Sequence, residues 1–291
     1  MSHFQQGIFD RSHQHHVFLE FTRNESAVGS DARAALARLA DLALGTTVRV
    51  TALGPTLWRE LDDAFSFPPF SLDDKAPSTQ GDLFVWLQDS DRGNLFDASR
   101  AVAGSLGAAF SLQLEVNGFV YHDMRDLTGF VDGIGNPQGE KAHQAALVPP
   151  SQPGAGGSFV LSQKWVHQLD AFNALAETEQ ERVIGRTKKD AVEFSADDMP
   201  ADAHVGRTDV DHDGVPQKIW RRSVPYGSTS EHGLYFLAFS CDLSRFDYLM
   251  RRMYGMTGDG ITDRLLDYTR PVSGSWWYAP TQEWLSALRE G

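Results

Sequence analysis

The order in which strand-like and helix-like segments follow one another over residues 16–119 constrains this chain more than any single motif. His16 to Thr22 alternates, with Val17, Leu19 and Phe21 on one face, and reads as a strand. Asp31 to Leu44 carries Leu36, Leu39, Ala40 and Ala43 at helical spacing, an amphipathic helix that Asp31 can cap. Thr47 to Leu53 is a β-branched strand, followed by a short helix near Thr56 to Ala64 and a polar, Pro-containing loop from Phe67 to Gly81. Leu83 to Gln88 reads as a strand and Asn94 to Ala103 as a helix. In Phe110 to Phe119, Phe110, Leu112, Leu114 and Val116 alternate with polar residues, the cleanest strand pattern in the chain. The major elements run β-α-β-β-α-β, a ferredoxin-like order.

The second half permits the same reading. Ser158 to Trp165 is a strand, and Thr178 to Gly185 is helical and stops at a glycine. Ile219 to Val224 and Gly233 to Cys241 read as strands, Leu243 to Met253 as a helix, and Trp276 to Ala279 as a last strand. Pro149, Pro150 and Pro153, with Gly154, Gly156 and Gly157, look like a linker, which divides the chain into halves 1–148 and 149–291. The fold class expected is α+β, two ferredoxin-like halves with antiparallel sheets.

Composition narrows the function. With 26 Lys and Arg against 39 Asp and Glu, the chain is too acidic for sequence-independent nucleic-acid binding, which needs cations to neutralise phosphates. No run approaches the roughly 20 apolar residues that span a bilayer. Met1 to Arg11 lacks the charged and apolar regions of a signal peptide, so a cytoplasmic location without membrane attachment is expected. The lone cysteine, Cys241, excludes an internal disulfide, a CxxCH haem attachment and a thiolate cluster.

Several apparent motifs fail on their chemistry. Asp209 to Gly214 opens like a calcium-binding EF-hand loop, but Trp220 stands where the bidentate Glu is required. The glycines at 154, 156 and 157 meet Phe159 where a dinucleotide fingerprint needs its last glycine. No GxxxxGK[ST], HExxH or GxSxG is present. His13, His15 and His16 read as an exposed polar stretch.

Three loop segments carry the remaining chemistry. In Gly129-Phe130-Val131-Asp132-Gly133-Ile134-Gly135-Asn136-Pro137, Asp132 is either a turn-former or a carboxylate placed in a cavity. In Ala203-His204-Val205-Gly206-Arg207, His204 alone is compatible with a surface histidine or a ligand. In the run from Ile219 to Gly227, Arg221 and Arg222 point to opposite faces of a strand, so one can face inward while the other is solvated. An inward arginine needs an anionic partner.

Taken together, these segments resemble the dye-decolorizing peroxidase family. Gly129 to Gly133 matches its GxxDG signature, and Arg221 opens an Arg-x-Ser-x-Pro-Tyr-Gly segment seventeen positions after His204. Ile184-Gly185-Arg186-Thr187-Lys188 and Pro271-Val272-Ser273-Gly274 also look like family segments. The resemblance runs from the first strand to about Pro280, and the short loops are similar to the compact bacterial type B branch. It implies the dimeric α+β barrel superfamily and non-covalent haem b, with His204 as the proximal iron ligand. A C-terminal carboxylate would hold the second nitrogen of His204: Asp263 is the candidate, with Asp259 and Asp267 as rivals. Arg186 and Arg207 would pair with haem propionates.

The resemblance further implies that Asp132, Arg221 and Ser223 meet hydrogen peroxide, with Asp132 moving a proton, Arg221 stabilising negative charge and Ser223 holding a water. The implied activity is peroxide reduction through a ferryl intermediate, with oxidation of dyes, phenolics or similar organic donors. A haem-handling protein that stores haem or releases its iron, and peroxidises incidentally, is the alternative. Trp220, Tyr226, Trp276, Trp277 and Tyr121 are candidate electron relays, and a homo-oligomer, dimer or higher, is expected. The tail from Leu285 to Gly291 is short beside the extensions by which some relatives dock inside encapsulin shells, so a cargo role of that kind is not expected.

Overall fold

Strand β1 (His15–Arg23) is buried on both faces, which a single alternating apolar face does not require. The computed structural model, which describes residues 4–62 and 64–288, shows why. After β1 come α1 (Gly29–Asp41), β2 (Val48–Leu53), α2 (Pro55–Leu61), β3 (Leu83–Asp89), α3 (Arg92–Leu106) and β4 (Phe110–Phe119). The four strands pair antiparallel in the order β4-β1-β3-β2. Val17, Leu19 and Phe21 pack in one core with Leu36 and Leu39 of α1 and with Leu95 and Val102 of α3. Phe18 turns the other way, into a second core with Phe84 and Trp86 of β3.

Local chemistry sets the helix ends. Asp31 is the third residue of α1 rather than its cap, and its carboxylate reaches back to the Val28 amide. Asp91 caps α3 by accepting from Asn94, and Pro55 opens α2 where its missing N–H costs nothing. The alternation of β4 does not hold on one face. The β1–β4 register shifts between Glu20 and Phe21, so Phe110 packs with the helices while Val116 joins the second core.

The second half contains α4 (Glu140–Ala146), β5 (Ser158–His167), α5 (Leu169–Asn173), α6 (Glu177–Ile184) and α7 (His204–Thr208). The short strands β6 (Asp211–His212), β7 (Val215–Pro216), β8 (Trp220–Arg221) and β9 (Val224–Gly227) follow. β10 (His232–Ser240), α8 (Leu243–Met253), β11 (Thr269–Pro271), β12 (Ser275–Ala279) and α9 (Gln282–Ala287) complete it. The acidic EF-hand-like stretch is the hairpin β6–β7, turning through Asp213 and Gly214 at positive φ. The Pro/Gly segment is tied down rather than a free linker: Gly156 donates to Val148, and the Tyr278 hydroxyl donates to Gly154 at 2.6 Å.

β5 pairs with both β12 and β10, β12 pairs with β2, and β4 pairs with β9. The sheet therefore closes on itself, β5-β12-β2-β3-β1-β4-β9-β10 and back to β5, all antiparallel. Closure makes the second core a barrel interior, filled by Phe18, Phe84, Trp86, Tyr235, Phe239 and Trp277. Along β5, Leu161, Gln163, Trp165 and His167 point the opposite way, outward toward α7 and α8, as do Leu234 and Phe236 of β10. Among the described residues no helix is long and apolar enough to cross a membrane.

Candidate active site

Those outward residues form one wall of a cavity of about 1230 Å³, its mouth included, closed on another side by Val205 of α7 and by Phe246, Leu249, Met250 and Met253 of α8. His204, the first residue of α7, also lines it. Its Nδ1 lies 2.7 Å from Oδ2 of Asp263, whose carboxylate is fully buried. The other oxygen of Asp263 accepts the Leu265 amide at 2.9 Å, which fixes the carboxylate in place. A carboxylate accepts, so Nδ1 donates to it, and in the neutral imidazole this leaves Nε2 with the free lone pair. Among the described residues no three His, Cys, Asp or Glu side chains converge on a metal-sized site, so that lone pair suits a metal that brings its own ligands.

Asp132, Arg221 and Ser223 line the same cavity and also a second one of about 890 Å³, which His204 does not touch. The three residues stand where the two cavities meet. Asp132 satisfies both readings of its sequence. One oxygen accepts the Gly133 amide at 2.7 Å, as a turn-former does, and the carboxylate faces the cavities. The glycines on either side supply positive φ, +88° at Gly129 and +77° at Gly133, which a side chain resists. Asn136 donates to the Arg221 carbonyl and accepts the Arg221 amide, both at 2.9 Å. The Ser223 hydroxyl accepts the Leu237 amide at 3.3 Å.

A Dyp-type peroxidase C-terminal family model matches residues 123–284, the segment holding all of these groups. The chain belongs to the Dyp-type peroxidase family. It is 38% identical over 214 residues to a dye-decolorizing peroxidase of Mycolicibacterium paratuberculosis, across 72% of this chain and 60% of the relative. The chain thus matches rather less than two thirds of that relative's length. Over its whole extent it is similar to the encapsulated DyP-type peroxidase from Mycobacterium smegmatis, with a TM-score of 0.89, 32% identity and 98% of each chain covered. It is also similar to a DypB variant from Rhodococcus jostii RHA1 solved in complex with heme, with a TM-score of 0.88, 31% identity and coverage of 97% and 98%.

Within this family frame, two expectations need correction. Arg207 does not reach the cavity. It is buried, and its guanidinium is consumed by Asp259, at 2.7 and 3.2 Å, and by the Arg252 carbonyl. The same contact removes Asp259 as a partner for His204 and holds its carboxyl down at about 2: the Arg207 hydrogen bonds and the Ile261 amide favour the anion. The other rival, Asp267, ends the short 3-10 turn that Asp263 caps. Neither arginine of the doublet is simply solvated. Arg221 lines both cavities, while Arg222, which lines the second alone, is buried, donating to the Ile8 carbonyl and to Gln88 and lying 4.8 Å over the Trp86 ring. Burial, reinforced by Arg11, lowers Arg222 to about 9, and Asp10 opposes the shift.

Arg186 does line the cavity. It donates to the Val131 carbonyl, while its buried Nε has no partner. Burial lowers its pKa, Asp132 raises it, and Arg221 lowers it further. Sequence reading passed over three groups. Asn136 holds Arg221, and Gln163 presents a fully buried amide with neither end partnered. His167 joins the wall between Asp126, at 3.0 Å, and Thr269, at 2.7 Å. The period-two pattern of β5 placed Gln163 on the same face as Leu161 and Trp165, but nothing in the sequence marked that face as a cavity.

Proposed function

We propose that this chain is a haem b peroxidase that reduces hydrogen peroxide and oxidises organic donors such as dyes or phenolics. The observation that carries the reading is His204, oriented by a fully buried Asp263 so that Nε2 faces a large cavity shared with Asp132, Arg221 and Ser223. The cavity fits haem: one imidazole lone pair for the iron, aliphatic and aromatic walls, and the unpartnered Nε of Arg186 as a donor for a propionate. Haem, when bound, would supply a redox-active iron, with Nε2 of His204 as the group that would hold it and Arg186 as the donor that would meet a propionate.

The residues of this chain supply the rest. Asp263 withdraws the Nδ1 proton toward itself and makes Nε2 more basic. At the junction of the two cavities, the Asp132 carboxylate takes a proton from the peroxide oxygen that enters and returns it to the oxygen that departs. The Arg221 guanidinium stabilises the negative charge that grows on the departing oxygen, and Ser223 steadies a bridging water between them. A protein that only stored haem or released its iron would need no such acid–base and cationic pair. The test is stopped-flow mixing of the haem-loaded D132A/R221A variant with peroxide. The absorbance change should slow by at least about 100-fold, and a wild-type rate would defeat these assignments.

Two ferredoxin-like halves, meeting near residues 148 and 149, are the reading of the architecture we favour. The support is the repeated order: β4-β1-β3-β2 in the first half matches β12-β5-β10-β9 in the second, position for position along the chain.

A further inference from the structure

The barrel interior holds a polar group that the proposed peroxide chemistry does not use. Glu20 is buried among aromatic rings, and its Oε1 accepts the Tyr235 hydroxyl at 2.6 Å and the Ser162 hydroxyl at 3.0 Å. The Trp277 indole donates to Ser162 at 2.8 Å, extending the chain of hydrogen bonds. Among the described residues, Glu20 pairs with no Lys, Arg or His, so no cation compensates the cost of burying its charge. Burial pushes Glu20 up to about 7, against the pull of Tyr235 and Ser162, and burial together with Glu20 pushes Tyr235 well above the usual tyrosine range.

The network lies directly behind the cavity wall. Leu234 and Phe236, on either side of Tyr235 in β10, line the cavity, while Tyr235 points into the barrel. Leu161 and Gln163 bracket Ser162 on β5 in the same way. One layer of sheet therefore separates the Tyr235 ring from the cavity. The ring stacks on Phe18 at 3.9 Å between centroids, and Phe84 lies between it and Trp277.

We propose that Tyr235 is an internal one-electron donor to the cavity and that Glu20 is the base receiving its proton. The proposal rests on the peroxidase reading, in which peroxide reduction leaves two oxidising equivalents in the cavity. One electron passes from the phenol through the sheet and reduces one equivalent. The phenolic O–H breaks, an O–H forms on the Glu20 carboxylate, and a neutral phenoxyl radical faces a neutral carboxylic acid. Electron loss without proton transfer would leave a cationic ring in a dry interior, and proton loss alone would leave a phenolate there. Moving both removes the buried charge. An electron from an organic donor, with return of the proton, restores the pair.

The experiment is freeze-quench electron paramagnetic resonance on the haem-loaded protein at about pH 8, above the value near 7 to which burial raises Glu20 and so with its carboxylate free to accept, after one equivalent of hydrogen peroxide and without donor. Wild type should give a radical signal that changes shape when the protein is made with ring-deuterated tyrosine, and Y235F should lose it. E20Q keeps an acceptor of the same shape for Tyr235 but cannot take the proton, and it should lose most of the signal. A normal Soret response to peroxide with an unchanged radical signal in Y235F and E20Q overturns the relay alone. No Soret response in wild type overturns the peroxidase reading, and the relay with it.

Discussion

Asn136 holds the backbone of Arg221 through two hydrogen bonds of 2.9 Å, one in each direction, and so occupies the free edge of β8 as a neighbouring strand would. β8 is two residues long and pairs with β10 on its other side. The guanidinium assigned to peroxide is thus presented by a minimal strand clamped from a loop. Removing the clamp leaves two backbone groups unsatisfied, a cost of about 1–3 kcal/mol. N136A should therefore slow the reaction with peroxide by roughly 10- to 100-fold, while haem affinity changes little. Stopped-flow rates and a haem titration check both halves of that expectation.

Asp263→Asn tests the orienting pair from the other side of the cavity. The amide oxygen can still accept from Nδ1 of His204, but the charge that makes the imidazole basic is gone. Haem affinity should fall about 10- to 100-fold, with the Soret band weakened rather than abolished. Unchanged affinity would mean that the 2.7 Å contact is structural only.

Stability should carry the signature of Glu20. Its carboxyl titrates near 7 in the folded chain against an ordinary value of 4.5, because burial outweighs the hydroxyl donors. Between those two values the unfolded chain has released a proton that the folded chain still holds. The Glu20 contribution therefore falls as pH rises through this window, by on the order of 3 kcal/mol, and is flat above it. E20Q has no such group, so its stability relative to wild type should rise between about pH 5 and about pH 8. Urea unfolding at both pH values measures this directly, and a difference independent of pH would contradict it.

Arg207 and Asp259 should matter for folding and not for cofactor binding. D259A strands a buried guanidinium, whereas R207M leaves a half-exposed carboxylate that water can solvate. Thermal unfolding should therefore fall further for D259A than for R207M. Both variants should show the wild-type Soret band at saturating haem.

Much of this was legible in the sequence, and the reasons for success and failure differ. Asp132, His204, Arg221 and Ser223 stand in short segments of unusual composition, and the structure brings all four to one cavity. Asp263 was separable from Asp259 and Asp267 only in three dimensions, since all three share one carboxyl-rich loop and only one meets His204. The identical ambiguity misled the reading of Arg207: an arginine three residues from the histidine lies on the same short helix, but its side chain packs away toward Asp259. Barrel closure was the largest loss. Alternation along residues 16–22 predicts one buried face, and the partner that buries the other face, β5 through Ser162 and β10 through Tyr235, lies far along the chain. A long-range pairing of this kind leaves no local pattern, and neither did the bulge that moves Phe110 and Val116 to opposite sides of the sheet.

The central claim is that Nε2 of His204 would hold the iron of a haem bound in the cavity, and the absorption spectrum of His204→Ala beside wild type, each supplemented with haem, tests it most directly. Wild type should develop a protein-bound Soret band that saturates on titration. H204A should lose that band or show it shifted and weakly held, with added imidazole restoring it in part. An H204A spectrum and affinity indistinguishable from wild type would contradict the account.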